Sequence, residues 1–294
     1  MTRFASHPLV FGTRSSSLAR RQTEIVQRLV ASSWPALQFE TRELSTQGDR
    51  TPDRPLPEIG GKGLFTQELE NALRQGQIDL AVHSLKDLPI EAEGDLCLGA
   101  IPPRADARDV LVSRSGRGLQ VLPPRSTVGT SSLRRQAQLT AYRPDLECRP
   151  LRGNVETRTR KVMQGELDAA VLAGAGLLRV GLEREIAEWI PLEVMLPAPG
   201  QGALAIQCRA EDTEVLELLK PLDDPATRSA VTAERAFRKS LGISVRSRGL
   251  HADTFRQALR DPWQARPVHS TGRQHDRTGE ELVFLGHYGI PAAG

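Results

Sequence analysis

The sequence predicts an α/β protein built from two similar units and a smaller third segment. Short apolar runs alternate with stretches of helical periodicity, and the same strand–helix grammar restarts after Pro123-Pro124. Such alternation implies parallel or mixed sheets covered by helices. At 294 residues the chain has material for two or three domains with buried cores.

In the first unit, Leu9 to Thr13 reads as a strand and Ser16 to Ala31 as a helix with Leu18, Ile25, Val26 and Leu29 on one face. Leu37 to Leu44 is a second strand, Phe65 to Gln75 a helix, and Ile78 to His83 a strand running into SLKDLP. In the second unit, Thr127 to Gly129 is a strand, Ser131 to Thr140 a helix and Leu146 to Pro150 a strand. Val155 to Gln164 follows as a helix and Leu167 to Ala173 as a strand. Cys97 and Cys208 fall in first-unit strand contexts and Cys148 in the second unit. Pro102-Pro103 and Pro197–Gly202 (PAPGQG) are where the chain is expected to pass between units. Asp224 to Ser240 opens with Asp and Pro and carries apolar residues at helical spacing, so it is a helix. After Gly242 the character changes: the last 52 residues hold four of the six His and no Lys.

Composition excludes several classes. No apolar run approaches the roughly 20 residues of a membrane span, and the N-terminus lacks the pattern of a secretory signal. Three widely spaced Cys rule out a disulfide framework or a CxxC metal site and point to a reducing compartment, the cytoplasm. The net charge of +3 and 4% aromatic content give no support for nucleic-acid binding. HExxH, GxSxG, GxGxxG and a nucleotide P-loop are absent. Only five of the 39 basic residues are Lys. Arg offers a planar fork suited to carboxylates, although a GC-rich genome also favours its codons, so position must decide.

Four segments offer anion-binding groups at turns after strands. Gly12-Thr13-Arg14-Ser15-Ser16-Ser17 opens a helix, whose free N–H groups favour an anion. Taken alone, a Ser N-cap beside a surface Arg explains it as well. In Gly129-Thr130-Ser131-Ser132-Leu133-Arg134-Arg135, three hydroxyls and the first-turn N–H groups converge on one anion, with Arg134 and Arg135 on the next turn. Arg152 leaves a strand and Arg158 follows inside a helix, so both can point into one cleft; a solvated basic face is the plainer account of Arg158 and Arg160. In His83-Ser84-Leu85-Lys86-Asp87-Leu88-Pro89, Asp87 can stabilise a developing cation or shuttle a proton, and Lys86 can hold a substrate carboxylate. A structural salt bridge between them is the competing reading. Gly60-Gly61-Lys62-Gly63 reads as a mobile loop over the cleft.

In order, GTRSSSLA, GGKGLF, HSLKDLP, VGTSSLRRQAQL, LRGNVETR, LDAAVLAGAGL, PAPGQGALAIQCR and AERAF resemble the porphobilinogen deaminase (hydroxymethylbilane synthase) family from about Phe11 to Phe237. The resemblance implies two periplasmic-binding-protein-like (type II) domains with a central cleft and a small C-terminal α+β domain. Their bounds would be 1–102 with 202–220, 103–201 and 221–294. It implies a monomer that joins four porphobilinogen units into a linear tetrapyrrole with loss of ammonia, on a covalent dipyrromethane cofactor. Asp87 matches the family's catalytic Asp. Arg14, Ser84, Lys86, Thr130, Ser131, Ser132, Arg134, Arg135, Arg152, Arg158 and Gln201 match positions around cofactor and product, and Lys62 sits in the active-site loop. Every pyrrole unit carries an acetate and a propionate, which explains the Arg.

One element of the pattern is missing. The family's cofactor-attaching Cys is expected near Ile243–Val245, where this chain has Ile, Ser and Val, and no Cys follows Cys208. Ser244 is too poor a nucleophile to replace a thiolate. Each remaining Cys reads as a core residue. Because similarity ends after Gly242, a reading-frame slip near codon 243 is the expected cause of this degenerate third domain.

Overall fold

The computed structural model describes residues 3–45, 66–90 and 94–240. Lys62 and its loop, Ile243–Val245 and the tail after Gly242 lie outside the described residues. All described residues belong to the unit Met1–Leu250.

The first sheet has the order β2-β1-β3-β10-β4. Its strands are β1 (Leu9–Arg14), β2 (Phe39–Leu44), β3 (Leu80–Ser84), β4 (Leu96–Ala100) and β10 (Leu204–Arg209). β1 runs parallel to β2 and β3, while β10 is antiparallel to β3 and β4. The second sheet repeats this plan as β7-β6-β8-β5-β9. It contains β5 (Asp109–Ser113), β6 (Thr127–Gly129), β7 (Glu147–Arg149), β8 (Ala169–Ala173) and β9 (Ile186–Trp189). Here β6 is parallel to β7 and β8, and β5 is antiparallel to β8 and β9. The α/β class is as the sequence predicts.

Helices α1 (Ser17–Ser33), α2 (Gln67–Arg74) and α6 (Thr213–Leu219) cover the first sheet. In the second unit α3 (Leu133–Tyr142), α4 (Val155–Met163) and α5 (Gly174–Arg179) follow their strands directly. Side-chain caps set three helix starts: the helices predicted from Ser16 and Ser131 begin later, at Ser17 and Leu133, while the one predicted from Val155 begins there. Ser16 accepts from Ala19 N at 3.3 Å, Ser132 from Arg135 N at 3.4 Å and Asn154 from Thr157 N at 2.8 Å.

The sequence reading gave no strand at β5 or β9. β5 is buried along its whole length, with Leu111 in one apolar cluster and Val110 and Val112 in another. A strand covered on both faces loses the polar alternation that identifies it.

The chain crosses between the sheets twice, through residues 101–108 and 190–203. The crossings are tied together: Arg104 Nε donates to Gln201 O at 2.8 Å, Gln201 Nε2 to Ala107 O at 2.7 Å and Ala105 N to Gly202 O at 3.3 Å. Helix α7 (Pro225–Ser240) clamps them. Its Glu234 takes Arg104 through both carboxylate oxygens, at 2.6 and 3.1 Å, and accepts from Gly200 N at 2.7 Å.

Gly202 has φ +87°, and a Cβ there would lie 2.4 Å from Ala105 O. Gly116 has φ +68° with nothing near its Cβ position. Gly202→Ala is therefore expected to lower the urea unfolding midpoint by the equivalent of roughly 2–3 kcal/mol, and Gly116→Ala by about 1 kcal/mol. Equal losses would show that the crossing tolerates a side chain.

Candidate active site

The carboxyl ends of β1 and β3 open a recess on the first sheet, lined by Arg14, Ser16, Gln22, Thr66, His83, Ser84 and Asp87. Ligands of open α/β sheets bind beyond such strand ends. Gln22, on α1, donates through Nε2 to Ser84 Oγ at 2.7 Å and so fixes the end of β3. Thr66 is buried, and its hydroxyl has no partner among the described residues. His83 is buried against Gln207 Oε1 at 3.1 Å. Burial, then the nearby Arg14 charge, pushes its pKa down to about 4 against the Gln207 hydrogen bond. The imidazole is therefore neutral at neutral pH.

A single 3-10 turn, Leu85–Asp87, continues from β3. Leu85 anchors it in a cluster with Leu88, Ile101, Ala203 and Val231 of α7. Arg235, also of α7, donates to Leu85 O and Leu88 O at 3.4 Å. The turn holds Leu85 inward, Lys86 half-buried and Asp87 exposed. Burial lowers the Lys86 pKa to about 8; Asp87 opposes this and Arg135 adds to it, with smaller effects from Asp109 and Arg134.

On the second sheet, the hydroxyls expected to meet an anion are largely engaged within the protein. Ser131 Oγ donates to Leu151 O at 3.0 Å and accepts from Leu151 N at 3.1 Å. Thr130 Oγ1 accepts from Ser132 N at 3.2 Å, and Ser132 caps α3. These contacts shape the loop, leaving the arginines as the principal anion-binding groups. Arg134 Nη2 donates to Asp109 Oδ2 at 2.8 Å, and Arg135 Nη2 to Asp109 Oδ1 at 2.7 Å. Gln201 Nε2 joins them on Oδ1 at 2.8 Å. Arg135 Nε and Gln201 Oε1 remain buried without a partner among the described residues.

Arg158 donates through Nε to Gly153 O at 2.7 Å. Burial lowers its pKa most, followed by the like charges of Arg135 and Arg152, while Asp87 raises it. Arg158, on the second sheet, is thus within electrostatic reach of Arg135 and Arg152 and of Asp87 on the first. The solvated-face account of Arg158 therefore fails.

Two functional candidates were not singled out from the sequence. Asp109 is fully buried at the start of β5, and nothing in ADARDV distinguishes it from Asp106. Arg179 ends α5 and donates to Gly202 O at 2.7 Å, with burial lowering its pKa to about 10. Among the described residues no group of three or more His, Cys, Asp or Glu is placed to hold a metal, and no helix is long and apolar enough to cross a membrane.

The sequence profile described as porphobilinogen deaminase, dipyromethane cofactor binding domain, matches residues 9–217. A porphobilinogen deaminase of Brevibacillus brevis is 53% identical over 226 residues, 77% of this chain and 73% of that protein. One of Roseiflexus sp. strain RS-1 is 53% identical over 80% of this chain and 77% of its own. Among solved structures, the BvgS VFT2 domain of Bordetella pertussis aligns at a TM-score of 0.42 and 19% identity, over 81% of this chain and 94% of its own. The BenM effector binding domain with benzoate aligns at 0.41 and 13%, with coverage of 81% and 94%.

The Lys86 ammonium loses its charge as pH rises through about 8. Affinity for 1,2,3,4-butanetetracarboxylate, measured by calorimetry, is expected to fall between pH 7.5 and 9.5, where the probe stays ionised. In Lys86→Met it should be about tenfold weaker at pH 7.5 and nearly flat across that window. An undiminished slope in the variant would assign the titration to another group.

Proposed function

The chain belongs to the porphobilinogen deaminase family, and from that premise we propose that its cleft joins porphobilinogen units head to tail into hydroxymethylbilane, releasing one ammonia per unit. The observation that supports the reading is that Arg14 and Ser84 line one recess with the exposed Asp87, and that Arg158 of the second sheet lies within electrostatic reach of Asp87, Arg135 and Arg152. A product that gains an acetate and a propionate with every unit needs such a wall. Asp87 supplies the other requirement. The aminomethyl nitrogen carries its extra proton as an ammonium before the C–N bond breaks, so the electron pair leaves with neutral ammonia and the pyrrole ring keeps the positive charge. A carboxylate beside the ring stabilises that charge as it develops. Asp87 is exposed and can meet the ring, while the arginines are suited to hold the substrate carboxylates.

The residues suit a dipyrromethane as far as its carboxylates are concerned. Arg14, Ser84, Lys86, Arg134, Arg135, Arg152 and Arg158 would hold it, with Thr130, Ser131, Ser132 and Gln201 shaping the wall, and the orphaned Arg135 Nε and Gln201 Oε1 are free to receive polar atoms. When bound, the group supplies the primer on which the chain grows.

The thioether anchor does not fit the described thiols. Cys208 pairs with Leu80, four positions before Ser84 on β3 and so roughly 13 Å from the Asp87 end of the strand. It is fully buried, its Sγ lies 3.8 Å from Cys97 Sγ, and burial raises its pKa. Cys148 packs into the second-sheet core, and burial raises its pKa as well. With no Cys after Cys208, a second reading has a specific observation behind it: a homologue that binds polycarboxylates but turns over slowly or not at all.

We further take residues 1–102 with 202–220, 103–201 and 221–294 as the domains, and a cytoplasmic monomer as the working form. The intact mass of the denatured chain is expected to equal the bare 294 residues. Ammonia release from porphobilinogen should fall well below that of the Brevibacillus brevis relative, and Asp87→Ala should remove at least 99% of what remains, a loss on the order of 10²-fold or more. A mass increased by two linked pyrrole units would locate an anchor in this chain. Absence of any Asp87-dependent ammonia, with tetracarboxylate binding intact, would leave only the binding protein.

A further inference from the structure

We propose that Asp109 is a positioning residue for the anion cradle: it orients the guanidinium groups of Arg134 and Arg135 and ties them, through Gln201, to both crossings between the sheets. The inference rests on reading the site as a polycarboxylate cradle, and it adds the group that sets the cradle's geometry.

The side chain of Asp109 is wholly buried, and three donors share its two oxygens. Oδ1 accepts from Arg135 Nη2 at 2.7 Å and Gln201 Nε2 at 2.8 Å, and Oδ2 from Arg134 Nη2 at 2.8 Å. A buried carboxylate persists only when its lone pairs are satisfied in this way. Its backbone is equally constrained. Asp109 opens β5 opposite Ala173, and its carbonyl accepts from Ile190 N at 3.0 Å, where the second crossing begins. Gln201 lies in that same crossing and also donates to Ala107 O of the first. The carboxylate is therefore mounted on a rigid strand and touches both links between the sheets.

Its grip on the arginines is partial. Arg134 gives Nη2 to Asp109 and Nη1 to Leu196 O, while Arg135 gives Nη2 and keeps a buried Nε without a partner among the described residues. One negative charge faces two positive ones, so the cradle stays cationic. Two guanidinium groups at close range would otherwise turn away from each other; sharing one carboxylate fixes both planes in advance of a ligand.

This assignment conflicts with simple charge counting, which makes it testable. Removing a negative charge from a cationic wall should strengthen anion binding if Asp109 is only a background charge. If it positions the forks, Asp109→Asn should weaken binding, because an amide presents an N–H to donors that need an acceptor. Calorimetry with 1,2,3,4-butanetetracarboxylate is expected to show about tenfold weaker binding in Asp109→Asn. In an Arg134→Gln, Arg135→Gln background the same substitution should change affinity less than twofold, an epistasis that a merely structural role would not produce. Unchanged or tighter binding by Asp109→Asn, or full additivity, overturns the proposal.

If Asp109→Asn does not fold, arginine side-chain NMR of the unsubstituted chain decides. Slow rotation of the Arg134 and Arg135 Nη groups is the expected result, and free rotation overturns the assignment. Absence of turnover with probe binding intact would sink the synthase reading alone; failure of the unsubstituted chain to bind the probe would sink both.

Discussion

Cations gathered on one cleft wall repel one another, and the site depends on how that repulsion is restrained. At 4 Å and an effective dielectric of about 20, two unit charges repel by about 4 kcal/mol, enough to scatter flexible side chains. Short-range anchors hold them instead. Arg158 is tied to Gly153 O, while Arg134 reaches Leu196 O. In each case one part of the guanidinium is spent on a carbonyl. Arg134 and Arg135 also share the Asp109 carboxylate, which Gln201 ties to the crossings. The cost of assembling the wall appears in the lowered pKa values of Arg134, Arg158 and Lys86, each of which is dominated by burial. A ligand carrying several carboxylates relieves that cost, so the same repulsion that strains the wall makes it selective for polyanions.

The fold supplies the anchors through one repeated device. Both sheets place three parallel strands side by side and receive an antiparallel strand beyond them, with the chain crossing over between. Parallel strands aim their carboxyl ends in one direction, which brings Arg14, Ser84 and Asp87 to one rim and Thr130 and its neighbours to another. The antiparallel β5 and β10 are where the crossings enter, and they hold the rims' supports: Asp109 at the head of β5, Gln201 just before β10. Helix α7 then fastens this junction from outside, with Glu234 on Arg104 and Gly200 and Arg235 under the catalytic turn. The AERAF motif supplies both contacts, Glu234 on the crossings and Arg235 on the Leu85–Asp87 turn.

Much of this was legible in the chain itself. Parallel strands announced themselves by apolar runs between capped helices, and the site segments by hydroxyls, glycines and arginines at strand ends. What escaped was of two kinds. Strands β5 and β9 are short and flanked by irregular chain, and β5 is covered on both faces, so no period-2 alternation marked it. Asp109 and Arg179 escaped because their roles are tertiary. Asp106 and Asp109 look alike in sequence, yet Asp106 turns to its neighbour Arg108, which lies over the Trp189 ring, while Asp109 turns inward to three distant donors. The hydroxyls of Thr130, Ser131 and Ser132 show the converse. Their local sequence suggested a ligand, and the fold uses them largely on its own backbone.

The placement of the thiols carries the argument one step further. A growing chain must be held at one end while its other end reacts, so the anchor belongs at the mouth of the cleft on an element that can yield as the product lengthens. A sheet strand is the wrong mount for such a group: it is rigid, and a thiol facing its core is kept protonated by burial. Cys97, Cys148 and Cys208 all sit on strands, and Cys208 lies at the end of the sheet away from Asp87. Among the described residues, therefore, no thiol is mounted on a loop or helix that could yield with a lengthening product.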